Sequence, residues 1–436
     1  MFHRLKKMIP SSWLQAYHYV MARLAAVWYG NPSKKLIVIG VTGTNGKTTT
    51  AYLTAKALEA GGAKTGCTTT AILKVGDKEW LNRTKNTMRG RFFLQRMLKQ
   101  MVDAGCEYAV IEVSSQGLIQ YRHVGIAFDA AVFTNLTPEH IEAHGGFENY
   151  KKAKGRLFTY LASLPKKTID GKEVPRAAVL NADSGHAEYF ARLAGEKIVT
   201  WYGIDHPQGL KAKNIELSAD GSTFEMDGWT GRIRLPGKYN IENALAALAT
   251  CRVFGVDLKA AAKRLEAVSR VPGRFERVDA GQPWTVIVDY APEPESFRRL
   301  YEALSLLPHQ RTIHVLGSCG GGRDVARRPI LGQLAAQNAD IVIVTNEDPY
   351  DDDPRTIIRQ VAEGALKVGK VFEKNLFAIT DRREAIFKAM ALAKKGDLVV
   401  LTGKGCEPWI CLAHGKKMPW DEVAVAKEAI AAACAV

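Results

Sequence analysis

The stretch "VIGVTGTNGKTTT", Val38 to Thr50, decides the fold. A strand-like run, "LIVIGV" (36–41), meets two glycines and then Lys-Thr-Thr at the head of a helical pattern, "TTTAYLTAKALEA". The usual phosphate loop is spelled G-x-x-x-x-G-K-[ST]. Counted back from Lys47, its first position falls on Val41, so the spelling misses by one residue. The physical parts are nevertheless there. Gly43 and Gly46 let the backbone curl with its N–H groups inward. A helix starting at Lys47 turns its positive end toward the loop. Lys47 then reaches terminal phosphates and Thr48 ligates Mg²⁺. A purely structural glycine turn is the competing reading, and the strand, glycines, Lys-Thr-Thr and helix together disfavour it.

Outward from the loop, apolar runs alternate with helical stretches. "YAVIEV" (108–113), "DAAVFTNL" (129–136), "AAVLNAD" (177–183), "TVIVDY" (285–290), "TIHVLG" (312–317), "DIVIVTN" (340–346) and "LVVLTG" (398–403) read as buried strands. Continuous apolar runs joined by helices predict an α/β fold with parallel sheets covered on both faces. Lys47, Glu112, Asn135, Asp289, Ser318, Glu347 and Lys404 follow these strands, where open α/β sheets form their ligand crevice. The expected division is a helical segment 1–34, an ATP-binding domain 35–274 with a parallel-rich sheet, and a Rossmann-like α/β domain 275–436. The boundary falls in "SRVPGRFERV" (269–278), and the two sheets face a shared cleft.

With 436 residues, 47% of them hydrophobic, the chain is globular and long enough for two or three domains. Its formal net charge of +15 favours anionic partners. The basic residues are scattered and carry no nucleic-acid-binding signature, so nucleic acid is not expected. Seven cysteines without a CxxC pair fit reduced thiols. "MFHRLKKMIP" is basic, and the run after it carries Gln15, His18 and Arg23, which makes a poor membrane span. Trp13, Tyr17, Val20, Leu24 and Trp28 recur at helical spacing, with Ser11 or Ser12 as the cap. That stripe is expected to dock on the protein's own core, with a membrane surface or a partner as the alternative. No signal-peptide cleavage site follows, and a cytoplasmic location is expected.

"GTNGKTT" also resembles the ATP loop of the Mur ligases, which join amino acids to peptidoglycan precursors. "EVSSQGL" (112–118), "FTNLTPEHIEAHGGFENYKKAK" (133–154), "LPGKYNIENALAALA", "VPGRFERV", "VDYAPEPES", "GGGRDVARRP", "TNEDPYDDDP" and "TGKGCEP" match further family segments in order. The resemblance runs from about residue 35 to the end and is nearest to the branch that adds the third amino acid. It implies that ATP converts a carboxylate to an acyl phosphate, which an amine attacks. Phosphoryl transfer mainly needs positioning and charge neutralisation, which explains clustered cations and metal ligands. The resemblance assigns Gly43, Thr44, Asn45, Gly46, Lys47, Thr48, Thr49, Asn243, Arg274, Asp289 and Arg323 to ATP, with Asn240 beside Asn243. It assigns Thr48 to one Mg²⁺ and Glu112, His140 and a carbamylated Lys154 to a second. Lys47, Glu112, His140 and Lys154 form the catalytic set. Ser114, Gln120 and Arg122, with Asn86 and Thr87, match residues that hold a UDP-muramyl-peptide. Arg328, Glu347, Asp348, Tyr350, Lys404 and Glu407 are the remaining substrate candidates.

Three departures from the family pattern stand out. Only some 34 residues precede the ATP-binding region, where the branch carries a domain that grips the uridine nucleotide. Glu347-Asp348-Pro349-Tyr350 replaces D-N-P-R, removing the arginine clamp for the distal carboxylate of diaminopimelate. The following Asp351, Asp352 and Asp353 either attract a cationic side chain such as lysine or form a solvated loop. Pro292 and Cys406 stand where the family has histidines, and a packed small side chain is the expected role of Cys406. Three alternatives stay open: a folylpolyglutamate or poly-γ-glutamate type ligase, a nucleotide-binding module that does not ligate, and a scaffold at a membrane surface. The incoming amino acid and the oligomeric state also stay open.

Overall fold

The computed structural model describes residues 10–139, 141–206 and 208–435, with Ser11, Ser12 and Lys197 described by backbone only. The first unit carries β1 (Ile37–Thr42), β2 (Thr65–Thr68), β3 (Ile72–Val75), β4 (Lys78–Leu81), β5 (Tyr108–Glu112), β6 (Ala130–Phe133), a small hairpin β7 (Thr168–Ile169) and β8 (Lys172–Glu173), β9 (Ala177–Asn181), β10 (Val199–Gly203) and β11 (Leu210–Lys211). Nine of these make one sheet in the order β11-β10-β9-β6-β1-β5-β2-β3-β4. Pairing is parallel from β11 through to β2, and antiparallel only for β2–β3 and β3–β4. β1 lies between β5 and β6, so the chain leaves it toward one side of the sheet and later returns to the other. Such a switch opens a crevice at the strand's carboxyl end. Val41 pairs with Glu112 and Thr42 with Phe133, which brings the ends of all three strands to that crevice.

A three-stranded antiparallel sheet follows: β12 (Lys213–Ser218), β13 (Gly221–Met226) and β14 (Trp229–Ile233). Helix Lys238–Val253 then packs against helix Lys47–Leu58, and both are buried almost throughout. After helix Leu258–Glu266 the second sheet is built from β15 (Glu276–Val278), β16 (Thr285–Asp289), β17 (Thr312–Leu316), β18 (Ile341–Thr345), β19 (Leu376–Ile379) and β20 (Leu398–Thr402). Its order is β15-β16-β20-β17-β18-β19, parallel except for β15. Separate apolar clusters cover each face of both sheets, as the continuous apolar runs require.

The expectations for the N-terminal helix need correcting. The helix runs Ser11–Trp28, but Pro10 stands at its N-cap and no side chain caps it. The core-docked face is the alanine face, Ala22, Ala25 and Ala26. The large residues of the expected stripe point outward, with Trp13 73% and Trp28 74% exposed.

A buried ion pair ties the last helix, Glu422–Cys434, to the second sheet. Arg382 Nε donates to Glu422 Oε2 at 3.0 Å, and its other nitrogens donate to the carbonyls of Thr402 and Asn346. Neither side chain is more than 1% exposed. Removing one member leaves the other charge buried without its partner. Glu422→Ala is therefore expected to lower stability by about 3–5 kcal/mol, read as a fall in the urea midpoint of the second unit's transition.

Candidate active site

The loop after β1 is shaped by its neighbours. Gly43 has φ +149°, and a Cβ there would lie 1.9 Å from Thr134 Oγ1. Gly46 has φ +81°, and its Cβ would meet Asn243 Oδ1 at 2.4 Å. Both positions therefore demand glycine, for conformation and for space. The segment after β6 braces the loop from one side: Thr44 N–H donates to Asn135 O (2.8 Å), Asn45 N–H to Asn135 Oδ1 (2.9 Å), and Thr134 Oγ1 to Asn45 O (2.7 Å). Helix 238–253 braces it from the other, as Thr50 Oγ1 donates to Asn243 Oδ1 and the Asn243 amide donates to Asn240 Oδ1.

Chemically active groups gather on this frame. Lys47 Nζ folds back to the Thr44 carbonyl at 2.6 Å. Thr48 Oγ1 donates to Glu112 Oε2 at 3.0 Å, and the same oxygen accepts from the N–H and the hydroxyl of Thr70. Glu112 is 2% exposed and ends β5. Lys154 projects from helix Phe147–Ser163, is 1% exposed, and donates to the Gly43 carbonyl at 2.5 Å. Burial, reinforced by the charge of Lys47, pulls its amine well below the ordinary lysine range. The role expected of His140 falls outside the described residues.

From the connection between the units, Arg274 reaches across to Thr48 Oγ1 at 3.4 Å while its guanidinium stacks on Tyr290 of the second unit. Arg323 lines the same cleft, together with Arg327, Glu293 and Arg299. The cleft's empty space, open mouth included, is about 1460 Å³. Asp289 also lines it, but its carboxylate accepts the N–H groups of Phe275 (2.6 Å) and Ala291 (2.7 Å), so it staples the connection between the units. Burial raises its pKa, with Arg274 opposing. Thr87 and Ser114 reach the cleft wall; Thr87 Oγ1 accepts from Thr70, and Ser114 caps helix Ser115–Ile119.

The remaining substrate candidates lie elsewhere. Gln120 and Arg122 bond to each other, and Arg122 donates to the Met88 carbonyl. Asn86 offers its carbonyl to Asn82. Arg328 is buried and engaged with Gln360, Asp352 and the Cys319 carbonyl. Glu347 accepts the Cys319 thiol at 2.9 Å. Tyr350, at φ +52°, is held by the Cys411 carbonyl. Asp351 accepts His414 N–H, Asp352 faces Arg328, and Asp353 caps helix Pro354–Leu366, so local partners engage each of the three acids.

Lys404, Asp348 and Glu407 form a buried cluster. Lys404 Nζ contacts Asp348 (3.1 Å), Glu407 (2.9 Å) and the Trp409 carbonyl (2.6 Å). Lys85, from the first unit, completes it by pairing with Asp348 and with Glu407 (2.9 Å). Burial alone would lower the Lys85 pKa, but the charges of Glu407 and Asp348 raise it well above the usual range. Lys85 is thus a charged clasp between the units. Lys85→Ala is expected to cost about 3 kcal/mol of closure, seen as a larger radius of gyration by small-angle scattering and an earlier melt.

Sequence reasoning overlooked several cleft residues. Glu139 lines the cleft and accepts from Tyr150 OH at 3.3 Å, and Tyr150 in turn packs its ring under Lys154. Glu139 immediately precedes His140 in the quoted family segment, so the signal was available. Lys85 carried no such signal, because its partners lie 263 and 322 positions away.

Residues 41–251 match the family described as Mur ligase middle domain, and 273–405 that described as Mur ligase, glutamate ligase domain. A UDP-N-acetylmuramyl-tripeptide synthetase of Roseiflexus sp. (strain RS-1) is 42% identical over 420 residues, covering 94% of this chain and 82% of that one. A UDP-N-acetylmuramoyl-L-alanyl-D-glutamate--2,6-diaminopimelate ligase of Geobacillus kaustophilus (strain HTA426) is 39% identical, with the same coverage of 94% and 82%. A solved ligase of that latter name superposes with TM-score 0.59 at 30% identity, covering 91% of this chain and 78% of the other. Folylpolyglutamate synthase of Mycobacterium tuberculosis superposes with TM-score 0.70 at 18% identity, covering 88% and 92%. That second likeness is one of fold.

Proposed function

The chain belongs to the Mur ligase family, and from that premise we propose a division of labour among its residues. It is an ATP-dependent ligase that forms a peptide bond in making peptidoglycan precursors. In our reading the loop Gly43–Thr49 holds the triphosphate, and Lys47 leaves the Thr44 carbonyl to meet the phosphate being transferred. Arg274 from the connection and Arg323 from the second unit approach and balance the charge that moves with it. The acceptor's carboxylate takes the phosphate and becomes an acyl phosphate, the amino acid's amine displaces it, and ADP and phosphate leave. Contact between the two units at Lys85 keeps water from the activated carboxyl.

Glu112 and Thr48 offer oxygen donors 3.0 Å apart in a buried setting, a chemistry that fits Mg²⁺. Bound there, the ion would neutralise triphosphate charge. Lys154 as an ammonium does not fit a cation site. With its pKa depressed, its free amine adds to CO₂ and loses a proton, giving a carbamate anion that does. Glu139, across Tyr150, adds a further carboxylate.

The observation that carries this reading is the meeting of Lys47, Thr48, Glu112 and Lys154 with Arg274 of the connection and Arg323 of the second unit in one cleft. The acceptor is proposed to be a UDP-muramyl dipeptide, in keeping with the names of the relatives. Loss of the arginine at Tyr350 speaks for an amino acid other than diaminopimelate, although relatives named for that substrate are 39% identical. The test is a ligation screen of amino acids against UDP-muramyl dipeptide, read by mass spectrometry. Ligation to folate with none to the muramyl peptide would reject the acceptor.

A further inference from the structure

The N-terminal helix Ser11–Trp28 is apolar on two opposite sides, and only one of them is used within the fold. Ala22, Ala25 and Ala26 are at most 1% exposed and lie against Gly125 and helix Arg91–Asp103. At about 100° per residue, Trp13, Tyr17, Val20, Leu24, Val27 and Trp28 fall within one arc of about 100° on the other side. These six are between 47% and 74% exposed. Solvent-facing stripes of this size and composition mark interaction surfaces. The helix is not a span, since no helix among the described residues is long and apolar enough to cross a membrane.

Charge selects the occupant. Residues 1–35 hold Arg4, Lys6, Lys7, Arg23, Lys34 and Lys35 and no acidic residue; the first Asp or Glu in the chain is Glu59. The neighbouring surface adds Arg96 and Arg156, both exposed, and Arg91, which bonds to His18 of the helix. An apolar stripe carrying two tryptophans and a tyrosine, set among cations, suits the boundary between headgroups and acyl chains of an anionic bilayer. We propose that this helix docks the enzyme in-plane on an anionic lipid surface, the aromatic stripe entering the acyl boundary and the basic residues meeting the headgroups. The helix leans on the loop that continues helix Ser115–Ile119 away from the cleft, with Tyr19 edge-on to Tyr121. Docking therefore fixes the orientation of the cleft relative to the surface.

The test is vesicle flotation of the full chain. Phosphatidylglycerol–phosphatidylcholine vesicles are expected to carry the protein up the gradient at least about tenfold better than phosphatidylcholine alone, and high salt is expected to remove most of that difference. The triple variant Trp13→Ser, Val20→Ser, Trp28→Ser changes only exposed side chains. It is expected to lose flotation while keeping ATP-dependent ligation in solution. Arg23→Gln, Lys34→Gln and Lys35→Gln together, all exposed, are expected to weaken flotation on the anionic vesicles alone. Equal recovery on both vesicle types, no flotation at all, or unchanged flotation in the triple serine variant would each overturn the proposal. So would light scattering showing a dimer that the triple variant dissolves, because the stripe would then belong to a second copy of the chain.

Discussion

Lys47→Ala is expected to lower ATP-dependent ligation by about 10³-fold or more, the scale on which a cation aimed at a transferred phosphoryl group acts. The geometry makes the effect specific. The Lys47 ammonium is 2.6 Å from the Thr44 carbonyl, at the lip of a loop otherwise braced by Thr134, Asn135 and Asn243. None of those braces involves the lysine side chain, so the loop should survive its removal. The check is a pair of measurements on one preparation: phosphate release with acceptor and amino acid present, and the thermal melt. An unchanged melt with lost turnover is the expected result. Turnover at the parental rate would remove the loop from the mechanism. Lys47→Arg should recover little, because a planar guanidinium replaces a compact ammonium in a loop shaped for one.

Lys154→Ala is the second large effect, an expected loss of about 10²-fold or more. Here the informative part is rescue. The side chain is 1% exposed and fills the space between Gly43 and the Tyr150 ring. Its removal vacates that space. If the working form is a carbamate, formate or acetate should restore part of the lost activity, since each returns a carboxylate to the vacated space. Chloride at equal ionic strength should not. Labelled bicarbonate should also give a carbamate resonance in the parent enzyme that the variant lacks. Parental activity in Lys154→Ala without added acid would dispose of the role. The direction of the shift gives this prediction its sign: burial and the charge of Lys47 favour the neutral amine, the form that reacts with CO₂, more than at an exposed lysine.

Parts of the molecule were legible in the residues for a simple reason. Strands buried on both faces must be apolar at every position, and each of the eight runs read as such contains a strand of the two large sheets. Glycines that cannot tolerate a Cβ, followed by Lys-Thr at a helix start, carry their meaning locally. Strands without that constraint escaped. β4, "KEWL", is an edge strand with every residue exposed, and β12 alternates polar residues on a small separate sheet. Their composition resembles that of loops.

The sequence by itself determined the α/β class and the family, because these depend on short-range patterns and on motif order. Only the tertiary structure decided which carboxylates meet which cations. Glu112 faces Thr48 because β1 and β5 pair in register, and Lys85 clasps Asp348 and Glu407 because two separately built sheets close on one another. It also decided the polarity of the N-terminal helix. Periodicity located the aromatic stripe alone, but the alanine side docks because small residues let the helix backbone approach Gly125 closely, and the tryptophans are left outside.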